Sequence, residues 1–140
     1  MARDLEARDL TVAVFGAGTM GRGIAQVCAQ AGITTMLFDA REGAVGEAIA
    51  AVDKALEGLV AKGRVSAEDK QGTLARLKRS TSYDGAAGAG VVIEAIIESL
   101  AAKRDLFREL EKRVAPDAVL ATNTSSLSVT EVAAGCAKPE

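Results

Sequence analysis

The run Val12-Ala13-Val14-Phe15-Gly16-Ala17-Gly18-Thr19-Met20-Gly21 restricts the fold more than any other stretch of this chain. Its first half is apolar and β-branched, the pattern of a buried strand. After the glycines, Ile24-Ala25-Gln26-Val27-Cys28-Ala29-Gln30-Ala31 has the composition of a helix. In a Gly-x-Gly-x-x-Gly turn between strand and helix, each glycine has its own task. Gly16 permits the tight reversal, Gly18 lets a pyrophosphate approach the backbone, and Gly21 lets helix and strand pack closely. Thr19 and Met20 belong to the same phosphate-facing segment. There the helix start offers unpaired N–H groups and the positive end of its dipole.

Glycines also mark ordinary turns, so the motif needs its context: a strand before, a helix after, and an acid closing a second strand. Asp39 closes Thr34-Thr35-Met36-Leu37-Phe38 and lies near the expected spacing of about 20 residues beyond the glycines. A carboxylate at that place accepts hydrogen bonds from the adenosine ribose and repels a 2′-phosphate, which favours NAD over NADP. Taken alone, Asp39 reads equally as an acid capping the turn after a strand.

The remainder of the chain alternates strand and helix patterns. Strands are expected at Thr11–Gly16, Thr34–Phe38, Arg79–Tyr83, Val91–Ile97 and Ala118–Thr122. Helices are expected at Met20–Ala31, Glu42–Lys62, Leu100–Val114 and Val129–Ala134, with another starting at Ser66 and presenting Leu74 and Leu77. Gly32 and Gly63 are the expected stops, and Gly85–Gly90 reads as a flexible connection. Val45, Ile49, Val52, Leu56, Leu59 and Val60 mark the apolar face of the long helix. This order predicts an α/β fold, a doubly wound, mostly parallel sheet of the Rossmann-like kind, with a helical insertion after the second strand. The insertion reads as a covering helical hairpin. Residues 1–10 read as a leader and 11–140 as the dinucleotide-binding domain. In such sheets ligands bind outside the carboxyl ends of the strands, where the loops Gly16–Gly21, Ile97–Lys103 and Asn123–Ser126 should converge.

Composition narrows the function. At 140 residues the chain suits one domain with a proper core. A net charge of −2 without a basic stripe argues against nucleic acid, and 3% aromatics removes the stacking platforms of single-strand binders. No apolar run reaches the roughly 20 residues of a membrane span. Two cysteines and no apolar leader point to the cytoplasm. Cys28 reads as a small core residue. There is no histidine, so a histidine base or metal site is absent from these residues.

On the residues alone, Glu98 is as readily a first-turn helix acid, Lys103 a solvated helix lysine, and Asn123-Thr124-Ser125-Ser126 a polar turn. Three segments carry a resemblance: Gly16 through Ala25, Ile93-Glu94-Ala95 with Glu98 and Lys103, and Asn123-Thr124-Ser125-Ser126-Leu127. With them the chain resembles, from about Leu10 onward, the amino-terminal domain of the L-3-hydroxyacyl-CoA dehydrogenases, nearest the 3-hydroxybutyryl-CoA and phenylacetate-pathway types. The resemblance implies oxidation of an L-3-hydroxyacyl-CoA to the 3-ketoacyl-CoA, with hydride passing to NAD. By position it puts the pyrophosphate on Gly16, Gly18 and Gly21 and the ribose on Asp39. Glu98 and Lys103 fall near the nicotinamide, Ser125 and Asn123 at the reacting centre, and Lys62 on the CoA phosphates. Gly90 stands where the family usually has Asp, and Ala55 where some members have Ser. The family's catalytic histidine and its helical dimerisation domain are not among these residues. The expectation is therefore a partial chain that binds NAD without turning over substrate. A related hydroxy-acid dehydrogenase and a non-catalytic dinucleotide sensor are the alternatives.

Overall fold

The computed structural model describes residues 10–80, 88–96, 100–112 and 119–122. The elements follow in the order β1 (Thr11–Phe15), α1 (Thr19–Gln30), β2 (Thr34–Phe38), α2 (Ala44–Ala61), α3 (Ala67–Arg76), β3 (Leu77–Arg79), β4 (Val91–Glu94), α4 (Leu100–Glu111) and β5 (Val119–Thr122). The five strands form one sheet in the order β3-β2-β1-β4-β5, and every pair is parallel. The chain lays down β2 and β3 on one side of β1, then crosses to place β4 and β5 on the other. β1 pairs in register with both neighbours, Val12 facing Thr35 on one side and Val91 on the other.

β1 shows why both faces of the sheet need cover. Alternate residues point to opposite faces: Val12 and Val14 enter one buried cluster, Ala13 and Phe15 the other. The first cluster is closed by Ala25 and Ala29 of α1 and by Ala44, Ala48, Val52 and Leu56 of α2. The second is closed by Leu106, Phe107 and Leu110 of α4. The α2–α3 hairpin thus covers the sheet, as the sequence leads one to expect. Arg76 of α3 ties it to α1 by donating to the Ala29 carbonyl at 3.0 Å.

Several expectations need correction. The buried seam of α2 is Ala44-Ala48-Val52-Leu56, four apart, whereas Val45, Ile49, Leu59 and Val60 are only half-buried. Small alanines let the helix lie close to the sheet, and the larger residues flank the seam. Leu77, expected on the third helix, begins β3 and pairs with Thr35. The ladder to β2 outweighs its helical spacing from Leu74. The aliphatic run does not stay a strand through Ile97. β4 ends at Glu94, whose carboxylate accepts the Ile96 N–H at 2.7 Å and turns the backbone out of the ladder. Of the supposed flexible connection, Ala89 is fully buried, and Gly90 donates to Thr11 while accepting from Val119, each at 2.8 Å. Leu10, assigned to the leader, is buried in the core. Other expectations hold. Ser66 caps α3, its hydroxyl accepting from the Asp69 N–H at 3.0 Å, and Gly32 and Gly63 carry the positive φ of helix stops. The expected strand beyond Ser80, Val114, and the short helix Val129–Ala134 lie outside the described residues.

Candidate functional site

The carboxyl ends of β1, β2 and β4 open onto a cleft of about 580 Å³, within the roughly 300–1,000 Å³ of small-molecule sites. It sits at the place where the strand order reverses, between β1 and β4. One wall is the glycine turn with Asp39 and Arg41. The other is Ala95 and Ile96 with Asp105 and Leu106 of α4.

The three glycines divide into two kinds. Gly16 has φ of +114°, and a Cβ there would fall 2.3 Å from the Ala95 carbonyl oxygen. A Cβ on Gly21 would fall 1.7 Å from the Gly16 carbonyl oxygen. Both positions are glycine because the protein's own backbone occupies the space. Gly18 differs: its φ is −74°, an ordinary value, and a Cβ there would have nothing within 4 Å. Nothing in the described fold requires glycine at this position, so the space in front of it suits a ligand. Gly18 is also the N-cap of α1, with no side-chain capping bond and no acid in the first turn. The amides of Thr19, Met20 and Gly21 therefore start a helix whose first N–H groups have no intrahelical partner. Thr19 is exposed, and Met20 is a large apolar side chain 59% exposed. These features fit a dinucleotide pyrophosphate, with Gly18 giving close approach and the helix start giving donors and dipole.

Asp39 holds the turn after the strand. Its Oδ2 accepts the Ala17 N–H and its Oδ1 the Arg41 N–H, both at 2.8 Å, so it fixes the glycine turn to the end of β2. It also lines the cleft, and each carboxylate oxygen keeps a lone pair for a ribose hydroxyl. Arg41 lines the cleft beside it, with its guanidinium on Glu47 of α2 at 2.7 Å. Hydrogen bonding and charge between the two hold Arg41 above its usual range and Glu47 below the usual carboxylate range.

On the second wall the structure revises the place of Lys103. It is neither a solvated lysine nor part of the cleft lining. Its ammonium is fully buried and donates to both oxygens of Glu94 at 2.9 Å. Glu94 is equally buried and stands opposite Phe15 in the ladder. Taking two charges out of water is costly, and their mutual contact with further hydrogen bonds offsets that cost. In the sequence Glu94 reads as one residue of an aliphatic strand, and only the resemblance marks its segment. Its signal was that very setting, since a carboxylate among Val, Ile and Ala needs a buried partner. Glu47 carried no signal, because its partner is six residues away across a turn.

Lys62 caps the far end of α2 and is exposed. Helix α2 starts beside the cleft and has 18 residues, so Lys62 stands roughly 27 Å along its axis. The structure does not bring it to the glycine turn. Glu98, Asn123 and Ser125 lie outside the described residues, as do Thr124, Ser126 and Leu127. Cys28 is half-buried against the first cluster, and burial raises its thiol pKa.

A parallel sheet of this order, with a cleft at its reversal and a ligand-sized gap over the middle glycine, defines a Rossmann-type dinucleotide-binding domain. Residues 11–140 match the model of the NAD-binding domain of 3-hydroxyacyl-CoA dehydrogenase, and the chain belongs to that family. A 3-hydroxybutyryl-CoA dehydrogenase of Clostridioides difficile is 37% identical over 131 residues, covering 94% of this chain and 47% of that one. A 3-hydroxyadipyl-CoA dehydrogenase of Escherichia coli is 42% identical, covering 93% of this chain and 27% of the other. Among solved structures, the (S)-3-hydroxybutyryl-CoA dehydrogenase of Ralstonia eutropha superposes with a TM-score of 0.88 at 39% identity, covering 92% of this chain and 46% of that chain. The chain thus spans about half the length of these relatives, or less. Its cofactor is NAD, by the family model. Among the described residues no helix is long and apolar enough to cross a membrane.

Proposed function

We propose that this chain is the cofactor-holding part of a cytoplasmic enzyme that oxidises an L-3-hydroxyacyl-CoA to the 3-ketoacyl-CoA. Bound NAD would supply the hydride acceptor. The observation that carries the reading is Gly18: a glycine that the described protein does not need, facing open space between two glycines that it does. The relatives' names direct the reading to 3-hydroxyacyl-CoA substrates.

Each residue has a part in this reading. Gly16 and Gly21 shape the turn, and Gly18 with the amides of Thr19, Met20 and Gly21 takes the pyrophosphate. Asp39 takes the adenosine ribose. Lys103 acts through Glu94 to set the second wall, and Glu98 lies near the nicotinamide. Asn123 and Ser125 orient the substrate hydroxyl at the reacting centre. Lys62 meets the remote phosphates of CoA, which suits its distance from the glycine turn. With no histidine in these 140 residues, this chain is assigned binding and orientation rather than removal of the hydroxyl proton. A homodimer is the proposed state of the intact enzyme.

The test is a calorimetric titration of NAD, NADP and acetoacetyl-CoA, together with NADH formation by the intact protein from 3-hydroxybutyryl-CoA and from free hydroxy acids. Turnover of the CoA ester alone supports the reading. Preference for a free hydroxy acid, or dinucleotide binding with no turnover of either, overturns it. Lys62→Ala should raise KM for acyl-CoA more than it lowers kcat, because a remote contact contributes mainly uniform binding.

A further inference from the structure

The adenosine end of the cleft holds two side chains of opposite effect on a 2′-phosphate. Asp39 repels it. Arg41, two residues on, is the kind of residue that accommodates it in NADP-binding proteins of this fold. Both line the cleft, and the Arg41 backbone N–H is fastened to Asp39 Oδ1, so the arginine cannot stand far from the ribose position. The sequence at this point is therefore compatible with either dinucleotide.

The contact that separates the two outcomes lies on α2. Glu47 Oε2 accepts from one Arg41 nitrogen at 2.7 Å and Oε1 faces the other at 3.5 Å. Gly43, in the left-handed region at φ of +82°, starts α2 and turns the chain so that Glu47 meets Arg41. Among the described residues a second cation lies close to this turn: the Arg79 guanidinium is 3.6 Å from where a Cβ on Gly46 would be.

We infer that Glu47 is a specificity-determining residue: it occupies the guanidinium of Arg41 and so withholds from a 2′-phosphate the one cation lining the described cleft. Asp39 excludes the phosphate by repulsion, and Glu47 excludes it by removing the attraction that would offset that repulsion. The inference rests on Asp39 facing the adenosine ribose. It adds that the NAD preference is written in two acids, the second outside the glycine motif.

The experiment is binding of NADH and NADPH to the intact protein, followed by nucleotide fluorescence at one salt concentration. Glu47→Gln keeps the shape and removes the charge. It is expected to tighten NADPH about two- to fivefold, the scale of an exposed ion pair, and to leave NADH unchanged. Glu42→Gln removes the same charge from the neighbouring turn and should leave the ratio of affinities alone. Arg41→Ala combined with Glu47→Gln should lose the gain. An unchanged ratio in Glu47→Gln overturns the inference. So does an equal gain in Glu42→Gln, or a gain that survives without Arg41 and so points to Arg79. Asp39→Ala separates this failure from that of its premise. If Asp39→Ala narrows the preference while Glu47→Gln does not, Glu47 alone is misassigned. If neither changes the ratio, the ribose assignment falls and the inference falls with it.

Discussion

The two walls of the cleft are built by opposite means. The wall on β1 and β2 is made of missing side chains and backbone groups: Gly16 and Gly21 nest against carbonyl oxygens, and Asp39 gathers two backbone N–H groups. The wall on β4 and α4 is backed by charge placed where water does not reach, with Glu94 and Lys103 both fully buried behind its lining. At Gly16 and Gly21 the first wall tolerates almost no added atom. The second tolerates almost no lost charge. A substitution should therefore fail in a different way on each.

The largest expected effect is on the first wall. Gly21→Ala puts a methyl group into the Gly16 carbonyl and should prevent stable folding, seen as loss of a cooperative thermal transition. Gly18→Val should melt like the unmodified protein and lose NADH binding. If both variants melt alike, the division of the glycines into fold and ligand positions is wrong.

Next comes the second wall. Lys103→Met removes the ammonium from a buried carboxylate and should cost about 3–5 kcal/mol in denaturant unfolding. Adding Glu94→Leu should recover most of that loss, because an apolar pair of similar volume avoids the desolvation. NADH affinity of the double variant, measured well below its melting temperature, then shows whether the pair positions Ala95 and Ile96 or only supports them.

Asp39→Ala should cost roughly 1–3 kcal/mol through two hydrogen bonds to a charged acceptor. It should also weaken NADH and narrow the preference over NADPH. A variant that loses stability but keeps both affinities would make Asp39 a strut only.

The smallest effect is a pH dependence at the rim. Arg41 depresses the pKa of Glu47, so this exposed pair stabilises the fold above the unfolded glutamate value, about 4.3. The contribution is lost as pH falls through the lower folded value. Glu47→Gln should flatten that part of the acid limb of the stability curve. An unchanged limb would mean that the pair does not form in solution.

The first wall was legible in the sequence because its information is local. Strand, turn and helix follow one another within about twenty residues, and β2 was bounded correctly at both ends by its apolar pattern. The second wall was not legible. Lys103 is nine residues from Glu94 and reads as a surface helix residue until α4 is laid on the sheet. Leu77 has helical spacing from Leu74, and only its partner Thr35 on another strand places it in β3. The alanine seam of α2 escaped for another reason: hydrophobic spacing weighs large residues, whereas close approach to a sheet selects small ones. Most strands and helices and the glycine turn could be read in advance. The partners of buried charges could not, because burial belongs to the assembled layers.

The reversal of strand order between β1 and β4 has a further consequence. The cleft has one wall from each side of that seam, and Val12 and Val91 meet there across most of the chain. A dinucleotide seated in this cleft would need β4 docked, so by linkage it should stabilise the docked arrangement, by about 2.7 kcal/mol at one hundred times its dissociation constant. The cofactor would then act as a clasp. The amide of Ala95, which donates to Phe15 across the seam at 2.8 Å, should exchange its hydrogen more slowly as NADH is added, while those of the β2–β3 edge gain less.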